Sequence, residues 1–422
     1  MAKLTPQDVK YLSFEGGGGK GAAYLGALEA FKDPEIDIMT PWDHNTHILN
    51  YSKIKGIAGA SAGSIVAAAL AMGVSLEKLS DLFKSPDKLM GIYDTHDKSK
   101  LLIPIPQTTG YYSKPFREFN RTKNRLFDGK LISAQLTLPI SDLSVILELI
   151  DEIGLLNKLG SPARLGLHNL INIQGVHSGK GIINILRSVF DSSVYLAQFN
   201  IHIETENRGS VLLKPSEYTF SNLLLATGGL ELVITGRKLE EPGVPKYFSY
   251  RTTPNLRVID AVRISACLPF VFAPFRITAD DFGSDETSRF TEQEKEFLIG
   301  TWVDGGLSNN NPLHVFDFSM DDSPNEHKLG ELNPNILALL LQDEPSNVNS
   351  DSIVDYIDVI SGALMKNTSM LQFHNQEEQD QSIDLPVGKL STFNFIPQPS
   401  HLQSAISAAK KSIYTYFELP HE

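Results

Sequence analysis

Residues Tyr11–Phe31 read YLSFEGGGGKGAAYLGALEAF. Lys10 to Phe14 has the length and apolar character of a short buried strand. Lys20 to Phe31 carries Ala22, Leu25, Leu28 and Ala30 at mostly helical spacing. Between them stand four consecutive glycines, Gly16 to Gly19. Glycine admits left-handed backbone and lets another group approach closely. The run therefore asks what must come so near this backbone that no side chain is admitted.

The same unit recurs directly afterwards. KIKGIAG (53–59) reads as a strand, and SAGSIVAAALAMG (61–73) as a small-residue helix ending at Gly73. Its alanines suit a helix buried against a sheet. Strand–turn–helix twice over predicts an α/β fold with a mostly parallel sheet. Residues 74–200 are less regular. LLIPIPQTTGYYSKPF (101–116) is Pro-rich and apolar, and DLSVILELIDEIGLLNKLG (142–160) is an amphipathic helix. The block 90–200 reads as an insertion or cap. Strand character returns in NIHIET (200–205), LELVITG (230–236), FLIGTWVDGG (297–306) and NILALLLQDE (335–344). VIDAVRISACLPFVFAPF (258–275) reads as a helix stopped at Pro269, then an extended piece. From about 346 the chain reads as helical, up to SAISAAKKSIYTYF (404–417).

The chain has 422 residues, 41% hydrophobic and 21% charged, enough for one large core or two ordinary ones. Its net charge of −13 is the opposite of a global nucleic-acid footprint. Cys267 is the sole cysteine, so no intramolecular disulfide forms, which fits a reducing compartment. The N-terminal MAKLTPQDVKYLSF lacks the apolar segment of a secretory signal. No run of about 18 apolar residues is present to span a bilayer. No Cys/His ligand set or EF-hand spacing stands out, so neither a metal nor another cofactor is expected. The localisation expected is cytoplasmic or peripheral to a membrane, with export by a signal-less route left open.

Gly59-Ala60-Ser61-Ala62-Gly63 has the pattern G-x-S-x-G. A serine on a sharp strand-to-helix turn needs small neighbours and presents its hydroxyl at the sheet edge. Small residues also make ordinary helix entries, so the pattern alone is weak. A nucleophilic serine needs a base. Ser61 comes too early for an α/β-hydrolase, and His314, His374 and His401 sit in no recognisable strand-end turn. Asp304 ends an apolar strand and precedes Gly305 and Gly306, which points its carboxylate into the crevice where α/β sheets bind ligands. Taken alone, an ordinary Asp-Gly turn is the favoured explanation. The glycine loop suits an oxyanion, which needs backbone N–H donors about 3 Å away. Gly17 and Gly18 are the first choice, with Gly19 third. Gly16-x-Gly18-x-x-Gly21 also matches a dinucleotide fingerprint, and Glu35 and Asp37 stand near the required acid, but in a loop. The phosphate-loop pattern fails: Phe14 holds its first glycine position and Gly21 follows Lys20.

Three pieces together, Glu15-Gly16-Gly17-Gly18-Gly19-Lys20-Gly21, Gly59 to Gly63 and Asp304-Gly305-Gly306, resemble the patatin-like phospholipase family, related to cytosolic phospholipase A2. AVRISACLPFVFAPF (261–275) and LSNNNPL (307–313) look like the segments flanking the aspartate there. Glu15 departs from the family's usual aspartate, and Gly19 from its usual β-branched or small residue. The resemblance covers about 10–318. It implies a three-layer α/β/α fold and a lipid acyl hydrolase of the phospholipase A or lysophospholipase type. Ser61 would be the nucleophile, Asp304 the base and Gly17 and Gly18 the oxyanion donors, with no histidine. It also implies a phospholipid surface as partner, and in some members a protein or small-molecule activator. The expected domains are a catalytic unit, 1–345, and a helical extension packed on it, 346–422. A nucleotide-binding oxidoreductase and an inactive lipid-binding scaffold are the alternatives.

Lys20 reads either as a headgroup contact or as the partner of a carboxylate holding the loop; the second is favoured, because a lysine opposes the dipole of a helix's first turn. Residues 111–130 carry six basic and two acidic residues with Tyr111, Tyr112, Phe116, Phe119 and Phe127 interleaved. That suits an interfacial patch, although a solvated basic helix over core aromatics is slightly favoured. The helix 404–417, with Lys410 and Lys411, is a second membrane candidate.

Overall fold

The computed structural model describes residues 3–93, 174–199, 201–205, 209–241, 244–282, 289–317, 333–343 and 376–420. Among these residues the main sheet has eight strands. In chain order they are β1 (Tyr11–Phe14), β2 (Gly56–Gly59), β3 (Glu231–Lys238), β4 (Lys246–Phe248), β5 (Phe275–Ile277), β6 (Gly300–Asp304), β7 (Ile336–Gln342) and β8 (Ser382–Pro386). They lie in the order β5-β6-β3-β2-β1-β7-β8, with β4 also against β3. The joins from β3 through β2, β1 and β7 to β8 are parallel. Those of β6 with β3, β5 with β6 and β4 with β3 are antiparallel. The fold is the expected α/β one, mostly parallel, with an antiparallel side.

The central strands are mostly apolar because both sheet faces are covered. Leu12, Phe14, Ile57, Ala58, Leu337 and Leu339 are all inaccessible to solvent. The covering helices used below are α1 (Tyr24–Ala30), α2 (Ser61–Ala71), α3 (Leu76–Phe83), α4 (Lys180–Phe190), α5 (Val258–Ser265) and α6 (Pro399–Tyr416). α2 lies buried along nearly its whole length, which its alanines permit. α3 starts at Ser75, whose hydroxyl accepts the Lys78 amide, and buries Leu76, Leu79 and Leu82 on one stripe. The stretch before α1 differs in detail from a single helix. Gly18–Ala23 is a tighter 3-10 turn, as is frequent at helix N-termini.

The region after 346 is helical at Gln376–Asp380 and α6, but it also supplies β8, which pairs with β7. The C-terminal region therefore completes the sheet as well as packing on it. Ile383 and Leu385 point inward and Asp384 outward, the alternation of a half-covered edge strand. α6 lays Leu402, Ala405, Ile406, Ala409 and Ile413 into the core, against α1. Its apolar face is thus occupied, and only Lys410 and Lys411 face solvent among its basic residues.

Most of 90–200 lies outside the described residues, including 101–116, the basic aromatic stretch 111–130 and the helix at 142–160. Its far end is described: Gly175–His177 pairs in parallel with Phe270–Phe272, and α4 buries Ile182, Ile183 and Leu186. No helix among the described residues is long and apolar enough to cross a membrane.

Candidate active site

Ser61 is the first residue of α2, directly after β2 and Ala60. Its φ is +49°, rare for a residue with a side chain. The flanking glycines make this turn sterically feasible. A Cβ on Gly59 would stand 2.5 Å from the Gly63 carbonyl oxygen, and one on Gly63 2.3 Å from the Phe14 carbonyl oxygen. The β2–α2 turn is thus wedged against the end of β1.

Asp304 ends β6, on the antiparallel side of β3. The turn places its carboxylate against the serine: Ser61 Oγ donates to Asp304 Oδ2 at 2.6 Å. The Gly306 amide donates to Oδ1 at 2.8 Å as Gly305–Leu307 makes a 3-10 turn. Asp304 is inaccessible and Ser61 nearly so. Burial pushes the Asp304 carboxyl up to about 7, against the pull of the Ser61 and Gly306 hydrogen bonds. Among the described residues, Asp304 is the only side-chain acceptor for the Ser61 hydroxyl. His314 lies elsewhere, its Nδ1 2.8 Å from Asp317 Oδ2, and His401 is on α6. His374 lies outside the described residues.

The glycine loop closes over the pair. The Gly16 amide donates to the Asn310 carbonyl, and the Gly19 amide to the Thr392 carbonyl, both at 2.9 Å. Gly18 has a φ of +57°, and a Cβ there would stand 2.0 Å from the Thr392 carbonyl oxygen. The chain's own C-terminal strap, Ser391 to Phe395, therefore packs directly on the loop. Among the described residues no hydrogen bond runs from the Gly17 or Gly18 amide to another group.

Glu15 is buried where the family pattern has aspartate. Its Oε2 accepts the Leu341 amide at 2.6 Å and its Oε1 the Asn310 amide group at 3.2 Å, pinning the loop to β7. Lys20 pairs with Asp343 just past β7 at 2.8 Å, the loop-holding arrangement.

Ser61, Gly18, Gly19 and Gly21 line a cavity. Its remaining walls are apolar: Ala62 and Ile65 of α2, Leu79, Leu82 and Phe83 of α3, Leu89, Ile92, four aliphatic residues of α4, and Ala266, Leu268, Phe272 and Phe395. Sequence reasoning did not single out Ser265, Asn310, Thr392 or Phe395. The run Asn309–Asn311 next to Asp304 was the one available signal, since polar residues beside a buried turn have backbone to satisfy.

The patatin-like phospholipase family profile matches residues 12–317. The chain belongs to the patatin-like phospholipase family, a family of lipid acyl hydrolases. No curated protein sequence matches significantly. Among solved structures, VipD from Legionella pneumophila is similar at 17% identity, over 97% of this chain and 67% of that one, with a TM-score of 0.43. ExoU, a type III effector, is similar at 15% identity, over 98% of this chain and 53% of that one, with a TM-score of 0.36. A chain of the structure of full-length SpcU in complex with full-length ExoU from Pseudomonas aeruginosa matches at 16% identity, over 99% and 53%, with a TM-score of 0.39. This chain thus spans between about half and two thirds of the length of these structures.

Proposed function

We propose that this protein cleaves fatty-acyl esters of membrane lipids through a Ser61–Asp304 dyad and an acyl-enzyme intermediate. The observation that carries the reading is the 2.6 Å hydrogen bond to a buried carboxylate from Ser61, which lines a largely apolar cavity. An aspartate near 3.8 is a feeble base for serine. A carboxyl raised to about 7 is better matched to a reaction at neutral pH.

Ionised Asp304 takes the Ser61 proton as Oγ attacks the ester carbonyl. The developing oxyanion accepts from the Gly17 and Gly18 amides; the Gly19 amide is committed to Thr392, so the role falls to the first two. Protonated Asp304 returns its proton to the departing alcohol oxygen. Water then attacks the acyl-enzyme with Asp304 again as base, releasing fatty acid and restoring Ser61. The acyl chain lies in the cavity, whose walls beyond Ser61 and the glycine loop are apolar side chains. Contact with a phospholipid surface belongs to the same proposal, with the basic aromatic stretch 111–130 as its candidate. The dinucleotide reading is disfavoured because the Gly19 amide, one of the donors a phosphate would need, is already bonded to the Thr392 carbonyl.

The test is fatty-acid release from phospholipid vesicles. The wild-type protein should release fatty acid, and Ser61→Ala and Asp304→Asn should not, with all three equally folded by circular dichroism. Release by either variant at the wild-type rate would overturn the dyad. A folded wild-type protein without ester hydrolysis on any lipid would favour an inactive scaffold.

A further inference from the structure

Ser61 and Asp304 lie on different sides of β3, yet both are held by one short segment at the end of α5. The Ser61 amide donates to the Ser265 hydroxyl at 2.9 Å. The Asp304 amide donates to the Cys267 carbonyl at 3.0 Å. Ser265 and Cys267 are both inaccessible, and Ala266 between them lines the apolar cavity. α5 is itself firmly seated. All its residues are buried, and Arg257 and Asp260 form a bidentate ion pair at its start. Near its end the Arg263 guanidinium donates to the Ser178 and Ala273 carbonyls at 2.9 and 3.0 Å.

We infer that Ser265–Cys267 is the gauge that sets the serine–aspartate separation, with Ser265 a positioning residue for the nucleophile. The inference rests on the dyad reading above and deepens it. Ser61 sits in the left-handed region, which a residue with a Cβ leaves unless its surroundings hold it there. A first-turn amide has no acceptor inside its own helix, and here the Ser265 hydroxyl supplies one. Removing that acceptor leaves a buried N–H unpaired and frees the turn to relax toward ordinary backbone angles. Ser61 Oγ then swings off the Asp304 carboxylate. A displacement near 1 Å costs about 100-fold in rate where reacting groups must be aligned.

Ser265→Ala tests this, read with a soluble nitrophenyl ester and with a fluorophosphonate that titrates reactive serines. Rates are expressed per titrated site, so unfolded molecules do not count. The expected result is a fall in kcat per site of about 10- to 100-fold, with KM within about twofold. The midpoint of the pH profile should move up from about 7, since Asp304 stays buried but loses the Ser61 hydrogen bond that lowers it. Ser265→Cys, close in size but a weaker acceptor, should give a smaller loss, and it carries the same test if the alanine variant does not fold. A wild-type kcat per titrated site in either variant, even with a lowered melting temperature, would show a merely structural role and overturn the inference. Absence of labelling at Ser61 in the wild-type protein would instead overturn the dyad reading, and this inference with it.

Discussion

The parallel and antiparallel sides of the sheet deliver their residues to the site by different physical means. On the parallel side, β2 runs into α2 through a turn in which Ser61 takes a positive φ, and the turn has no room for side chains at Gly59 and Gly63. On the antiparallel side, β6 ends at Asp304 in ordinary backbone, but the carboxylate is taken wholly out of water. One residue is costly in conformation and the other in solvation. The difference teaches where each half is sensitive: the serine side to anything that adds volume, the aspartate side to anything that changes charge.

The largest effect should come from chemistry itself. Ser61→Ala is expected to lower ester hydrolysis by about 10³-fold or more while the melting temperature stays close to that of the wild type, as calorimetry would check. A similar loss is expected for Asp304→Asn in the same assay.

Asp304→Asn should also change how stability depends on pH, and the sign is definite. The folded carboxyl titrates near 7 and the unfolded one near 3.8. Between these values the folded chain binds more protons, so this group's contribution to stability is full below about 4 and falls as pH rises through 7. The asparagine variant lacks that fall. Relative to wild type, its unfolding free energy should gain with pH by an amount on the order of 4 kcal/mol, read by denaturant melts between about pH 4 and 8. A pH-independent difference would mean that Asp304 is not desolvated, and the contrast between the two sides would lapse.

Gly63→Ala sharpens the serine side. Its added methyl meets the Phe14 carbonyl, so a loss of about 3 kcal/mol or more is expected. The smallest effect belongs to the Lys20–Asp343 pair, where Asp343 is half exposed. Removing either partner should cost less than about 1 kcal/mol, an effect that added salt should diminish further.

Much of this site is written locally. The strand–glycine–helix unit, the small residues around Ser61 and the glycines after Asp304 each carry their geometry within about five residues, where steric rules operate. What was not legible is held by distant chain. The glycine run suggested a visiting oxyanion, yet at Gly18 and Gly19 the near neighbours are the strap's own carbonyls, Thr392 and Asn394. Nothing near position 18 announces position 392. β8 escaped for a related reason. SIDLP is short, ends in proline and alternates, as an edge strand does, so its apolar content alone does not mark it. Ser265 is an ordinary residue of a buried helix end until Ser61 is brought beside it.

The most direct test is the pH dependence of Ser61 phosphonylation by a fluorophosphonate, in which Oγ displaces fluoride from phosphorus, with the labelled peptide mapped by mass spectrometry. Label should appear on Ser61, its rate should rise with pH through a midpoint near 7, and Asp304→Asn should abolish that rise. Label on another residue, or a rate on Ser61 that is flat across neutrality or insensitive to Asp304→Asn, would contradict the account.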